Sequence, residues 1–427
     1  MEHGIDGLPG SQSMNFTNLF RHNADQPESP YAWLRLAAAV AIGTIGNVGM
    51  WSVPVALPTI QADFGVDRAA ASLPYTLTMV GFAFGGVAAG RIVDRFGILL
   101  PLVAGAVSLC LGYLLAAASP SLWAYALAQG ILVGGGTAVF FAPLMVDISH
   151  WFVRRRGIAV ALCACGNYIA GTIWPTPLQH MISSYGWRPT HVIVGIVCLL
   201  AILPLTLMFR NSPSARASSD NGETRRGEAP SLGISPNALQ AILCIAGLAC
   251  CIAMAMPQVH IVAYCGDLGY GVARGAEMLS LMLGFGIISR IASGFIADRI
   301  GGVGTLLIGS VLQGTALVLY FLFNGLSSLY IISALFGLFQ GGIVPSYAII
   351  VREYFPPKEA GTRVGLVIMS TLFGMAIGGW MSGEIFDLTG SYRIAFANGI
   401  AFNLLNVSIA VWLLTRPARA ERALARA

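Results

Sequence analysis

Apolar runs of about twenty residues recur twelve times along this chain, at 33–59, 70–92, 98–118, 121–148, 156–182, 190–209, 237–264, 275–297, 303–323, 327–351, 362–386 and 392–414. At 1.5 Å per residue, each crosses a hydrocarbon core of about 30 Å as an α-helix. No water is present there to satisfy exposed backbone N–H and C=O groups, and a helix bonds its own. Composition agrees: 56% of the 427 residues are hydrophobic, 10% are charged and the mean hydropathy is +0.74, too apolar for a solvated surface. The expected class is an all-α integral membrane protein with twelve transmembrane helices.

Residues 1–32 are polar, lack a charged-then-apolar leader and read as a flexible cytoplasmic tail, with Met14 as a second candidate start. The eight cysteines fall in or at the ends of the spans without a CxxC pair, which predicts buried apolar thiols and no metal site. With both termini in the cytoplasm, Arg68, Arg188, Arg274 and Arg393 fall outside, Arg290 lies within a span, and the other nineteen of the 24 Lys and Arg fall inside. The positive-inside rule therefore sets the orientation. Because the arginines follow topology and form no basic face with interleaved aromatics, a nucleic-acid partner is excluded. Short loops suit a bacterial inner membrane.

GRIVDRFG at 90–97 returns as GFIADRIG at 294–301, 204 residues later. In the same register Gly157 pairs with Gly361 and Gly186 with Gly390. The chain is thus a duplicated six-helix unit, and an even number of crossings makes the repeat parallel, about an axis along the membrane normal. The expected organisation is an N-terminal bundle over 33–209, a Ser-, Pro- and Gly-rich cytoplasmic linker over 210–236, a C-terminal bundle over 237–415 and a tail over 416–427. Two bundles so joined can rock about a central cavity, the geometry of alternating access.

Gly90, Asp94, Arg95 and Gly97, with the copy Gly294, Asp298, Arg299 and Gly301, resemble the loop motif of the major facilitator superfamily, between helices 2–3 and 8–9. The resemblance implies the major facilitator fold and a conformational role for the loops, a tight turn with a charge pair at the helix ends. The first copy carries Ile98 where that family often has a basic residue. Within the superfamily, residues 151–191 and the helix containing Arg290 resemble the monocarboxylate porters and the bacterial oxalate–formate exchangers. Helix 5, Gly166-x-x-x-x-Gly171-x-x-x-Pro175, differs from the Gly-Pro-rich motif of drug–proton exporters.

Arg290 sits in LGFGIISRIASGFIADRIGG, where a cation costs about 2.5–3.5 kcal/mol on insertion scales. Its own helix face carries Gly286, Ser293, Gly294 and Ala297, all small, so the guanidinium is expected to project into a cavity. None of the nineteen acids falls near mid-membrane, and position 286, an aspartate in many of the porters it resembles, is glycine. A planar fork without a counter-ion suits a carboxylate cargo; backbone carbonyls freed by the glycines are the other way to satisfy it. The resemblance adds that the matching arginine grips the substrate. The oxalate exchangers place a lysine where Phe373 stands, and one fixed cation favours a monoanion over a dianion.

Further candidate binding residues are His260 and Tyr264, one turn apart after Pro257, together with Asn167 and Tyr347; the last resembles a pocket tyrosine of the family. Gln129, Trp51 and Tyr75 are candidate lining, though interhelical hydrogen bonding accounts equally for such residues. Asp147 is a candidate gate residue, able to pair with the Arg154–Arg156 loop. The reading that emerges is a secondary transporter of a small organic monocarboxylate with proton symport. A carboxylate exchanger of the oxalate–formate type, a drug–proton exporter and a membrane sensor or scaffold stand as alternatives. No cofactor fingerprint, metal cluster or Ser-His-Asp set points to an enzyme.

Overall fold

A computed structural model describes residues 28–210 and 234–424. The expected tail and linker lie largely outside these residues. The apolar runs become α1 (Pro30–Phe64), α2 (Arg68–Phe96), α3 (Leu99–Ala117), α4 (Leu122–Trp151), α5 (Arg156–Tyr185) and α6 (Trp187–Phe209). The second half follows with α7 (Pro236–Asp267), then α8 (272–300) and α9 (302–322), which share the continuous segment Val272–Leu322. α10 (Leu326–Tyr354), α11 (Glu359–Thr389) and α12 (Tyr392–Arg416) complete it. Eleven apolar helical segments thus make twelve passes, because α8 and α9 are separated only by Gly301.

α1 starts inside the segment expected to be tail, and its first residues explain why. Ser29 is the N-cap, its hydroxyl accepting from the Ala32 N–H, and Pro30 supplies a preset φ at the first helical position. Ser235 and Pro236 repeat the device at α7, the start of the second unit. At the other end of each repeat's second helix, Gly97 (φ 75°, ψ 175°) and Gly301 (φ 77°, ψ 173°) adopt nearly the same left-handed-side conformation, which only glycine takes without strain. The duplicated motif is therefore a duplicated backbone turn.

Packing follows the repeat. Within the first bundle α3 lies along α6, and within the second α7 lies along α11. Between bundles, α2 packs on α11 and α5 on α8, seams that the internal symmetry exchanges. Both seams are tight at the end away from the termini. On one, a Cβ at Gly383 would sit 2.8 Å from Ala69 Cα; on the other, the hydroxyls of Thr176 and Ser280 meet at 3.4 Å. Toward the termini, side chains added at Gly86, Gly90, Gly157, Gly294, Gly361 or Gly365 would meet open space. The molecule is open at that end and closed at the other.

The first bundle is bolted near the open end by a buried ion pair. Arg35 of α1 donates through Nε and Nη2 to both carboxylate oxygens of Asp147 on α4, each at 2.8 Å, and Nη1 donates to the Met208 carbonyl of α6 at 2.9 Å. Trp151 and Phe209 flank the guanidinium at 4.7 and 4.4 Å. Asp147 thus pairs within its own bundle, with Arg35, and not with the Arg154–Arg156 loop. Removing one member of a buried pair leaves a charge uncompensated. Asp147→Ala should lower unfolding stability by about 3–5 kcal/mol, and the double change Arg35→Met, Asp147→Leu should lose less. Thermal melting of the purified variants in detergent checks this.

Candidate functional site

Arg290 lies in the α5–α8 seam. Its Nη1 donates to the Ala164 carbonyl at 3.0 Å, and the guanidinium lies over the Tyr168 ring with its carbon 4.4 Å from the centroid. Ala164 and Tyr168 are one turn apart on α5, so a single face of the first bundle receives the cation of the second. Gly286, one turn before Arg290, gives the Tyr168 ring its place: a Cβ there would overlap ring carbons Cε1 and Cδ1. Among the described residues no carboxylate pairs with Arg290, and its buried Nε has no hydrogen-bond partner.

Around this cation the structure gathers part of the expected set. Asn167, next to Tyr168 on α5, accepts a hydrogen bond from the Trp51 indole of α1 at 3.3 Å. Gly171, a turn further, brings Trp51 and Leu283 of α8 together at the same seam. Tyr347 does not join them: it is fully buried in the second bundle and donates to Asn406 Oδ1 at 2.9 Å. Gln129 is buried in the first bundle, with Nε2 donating to the Tyr125 hydroxyl at 3.2 Å.

His260 and Tyr264 lie instead at the closed end. His260 is fully buried, with Nε2 2.7 Å from the Gly379 carbonyl and Nδ1 3.1 Å from the Tyr392 hydroxyl. Tyr264 packs edge-on against Tyr392 and Phe396. The same Tyr392 hydroxyl accepts from Arg68 Nη1 at 2.7 Å, and Arg68 also makes a two-pronged pair with Asp267, at 3.0 and 3.1 Å, while stacking on Phe386. Arg68 belongs to α2, and its partners belong to α7, α11 and α12, so this cluster joins the bundles.

A second tie lies beside it. The carboxylate of Asp387, near the end of α11, accepts from the backbone N–H groups of Arg68 and Ala69 at 2.9 and 2.7 Å. These are donors at the start of α2 that no intrahelical carbonyl reaches, and Asp67, the residue at the N-cap, makes no side-chain cap of its own. One bundle therefore caps a helix of the other. Gly383, one turn earlier on α11, permits the approach, since a Cβ there would sit 2.8 Å from Ala69 Cα.

The loop residues Asp94, Arg95, Asp298 and Arg299 are exposed at the open end and, among the described residues, form no ion pair. Gly90 and Gly294 face open space, and the turn after α8 is held by Glu353, which accepts from the Gly302 N–H at 2.9 Å. Sequence reasoning did not single out Tyr168, Arg35, or the cluster of Arg68, Asp267, Asp387 and Tyr392. For Tyr168 a signal existed in the glycine at 286, which marks a notch on the one helix with a mid-span cation.

The Major Facilitator Superfamily family model matches residues 40–332 and 303–427. Monocarboxylate transporter 13 of Bos taurus is 25% identical over 405 residues, covering 92% of this chain and 91% of its own length. The MFS-type transporter pynF of Aspergillus niger is 24% identical over 302 residues, covering 70% of this chain and 68% of its own. Among solved structures, the nucleoside transporter NupG superposes with a TM-score of 0.68 at 15% identity, covering 89% of this chain and 99% of that one. A bacterial homolog of the human lysosomal transporter Spinster gives 0.66 at 16% identity, covering 92% and 96%.

The cap in trans has a measurable consequence. Asp387→Ala removes both acceptors, and Gly383→Val wedges α11 from α2; each should shift the population toward separated ends. Spin labels at Ala118 and Asn324, one on each bundle at the closed end, should show the longer-distance fraction rising about fivefold for Asp387→Ala, the worth of about 1 kcal/mol for a lost cap.

Proposed function

Since the chain belongs to the major facilitator superfamily and is a secondary transporter of that type, we propose that its cargo is a small organic monocarboxylate, gripped by Arg290 and carried with a proton by alternating access. The observation that carries this reading is a guanidinium inside a membrane-spanning helix that has a carbonyl and a ring for partners but, among the described residues, no carboxylate. Nη1 is engaged by Ala164, and one face is covered by Tyr168. Nε is buried in this state, so a carboxylate takes the Nε and Nη2 side with two parallel charge-assisted hydrogen bonds only as the α5–α8 seam rearranges. Relatives named monocarboxylate transporters, aligned over most of the chain, support the cargo class.

Charge limits the cargo further. Phe373, packed against Phe84, stands where the oxalate exchangers that this chain resembles place a lysine, so a dianion would leave about one charge unmatched. A monoanion and a proton cross together as a neutral load, and His260 or the cargo itself is the proton's carrier in this reading. With both termini in the cytoplasm of a bacterial cell, the described state is open inward. The Arg68 and Asp387 cluster is then the outer gate, and the loops carrying Asp94, Arg95, Asp298 and Arg299 come together when the inner side closes. Carboxylate exchange is the second reading, and one observation favours it: with Gly286 in place of an acid, an empty carrier returns with its cation uncompensated.

Uptake of labelled lactate, pyruvate, acetate, oxalate and benzoate into proteoliposomes, with and without an inward proton gradient, tests the reading. Arg290→Ala should lower kcat/KM for the accepted acid about 10- to 150-fold, the worth of a charged hydrogen bond at about 1.5–3 kcal/mol. Arg290→Lys keeps the charge, loses the fork and should fall between. A gradient response marks symport, and acceleration by unlabelled acid inside marks exchange. Wild-type rates in Arg290→Ala would sink the reading.

A further inference from the structure

The Tyr168 ring is an aromatic surface from one bundle, seated in a notch of the other and lying against the only cation at that depth among the described residues. The ring is 8% exposed, its plane lies under the Arg290 guanidinium at 4.4 Å, and the notch exists because position 286 has no side chain. An arginine on a flexible stem would otherwise sample many orientations, and only those presenting a free edge to the cavity can hold a carboxylate with two hydrogen bonds. Stacking on a ring fixes the plane, and the Ala164 carbonyl on Nη1 fixes the rotation within that plane.

We propose that Tyr168 is a positioning residue for substrate recognition: seated in the Gly286 notch, it holds the plane of the Arg290 guanidinium in which the carboxylate is met, and it blocks approach to the covered face. The inference rests on the reading of Arg290 as the anion anchor. It adds two things. The ring stabilises the cation through its π face without cancelling its charge, so the anchor is not silenced by a permanent counter-ion. The ring and the anchor also belong to different bundles, so the orientation of the fork depends on how α5 and α8 are arranged. Recognition is thereby tied to the conformational state.

The notch and the ring should behave as one unit. Tyr168→Leu removes the π face, and KM for the accepted acid should rise about fivefold or more, the range that a desolvated cation–π contact carries, with kcat changing much less. Tyr168→Phe keeps the ring and should restore most of that affinity. Gly286→Ala pushes the ring out of its seat and should raise KM to a similar degree. In a Tyr168→Leu background it should add little, which a double-mutant cycle reads as strong coupling.

The experiment is the proteoliposome uptake assay on wild type, Arg290→Ala, Tyr168→Leu, Tyr168→Phe, Gly286→Ala and the double variant, with melting temperatures for each. Loss in Arg290→Ala together with a KM rise in Tyr168→Leu, rescue by Phe and non-additivity with Gly286→Ala supports the proposal. Loss in Arg290→Ala with an unchanged KM in Tyr168→Leu overturns it and leaves the anchor reading standing. A Tyr168→Leu protein that melts lower but keeps its KM assigns the ring to packing and likewise overturns it. If Arg290→Ala transports normally, or no acid of the panel moves, the anchor reading and this proposal fail together.

Discussion

A guanidinium taken out of water must be compensated by whatever the protein puts beside it, and the placement of three arginines orders this molecule. Arg35 is answered in full, by a two-pronged carboxylate, a carbonyl and two aromatic rings, and it ties α1, α4 and α6 into one body. Arg68 is answered across the bundle boundary by Asp267, Tyr392 and Phe386, so its compensation lasts only while one end of the molecule is shut. Arg290 is answered by a carbonyl and by Tyr168, and among the described residues by no carboxylate. The three sites grade from a permanent bolt through a breakable latch to an open hand.

Glycine does the complementary work. In hydrocarbon no hydrophobic force drives helices together, so close backbone approach has to come from small residues. At Gly383 this brings α11 near enough for Asp387 to cap α2, and at Gly286 it makes room for a ring beside a cation. Both contacts cross between bundles. The absence of a side chain is therefore part of the closed-end contact and part of the candidate site, in the same way that a charged residue would be.

The spans, the duplication and the mid-membrane cation were legible in sequence because each is a local or periodic signal. A twenty-residue apolar run, a motif repeated 204 residues on and an arginine without a nearby acid can all be read from one strand of text. Even the helix starts at Ser29 and Ser235 carry a local signature, Ser-Pro, although α1 begins earlier than hydropathy alone suggested. The pairs that hold the tertiary arrangement carry none. Arg35 and Asp147 are 112 residues apart, and the Asp387 carboxylate reaches N–H groups 319 and 318 residues away. His260, a candidate binding residue by its type and place after Pro257, has both ring nitrogens engaged at the closed end by groups 132 and 119 residues away. Chemistry at the level of residue type was readable; which residues meet was not.

The repeat that builds the molecule also shows where it departs from itself. Position 86 on α2 is the counterpart of 290 on α8, and it is a glycine facing open space. Two walls of common ancestry thus offer a small anion unequal terms: one has a handhold and the other is smooth. In the reading proposed for Arg290, a cargo held there travels as a passenger of the C-terminal half, while the N-terminal half serves as the door that swings past it.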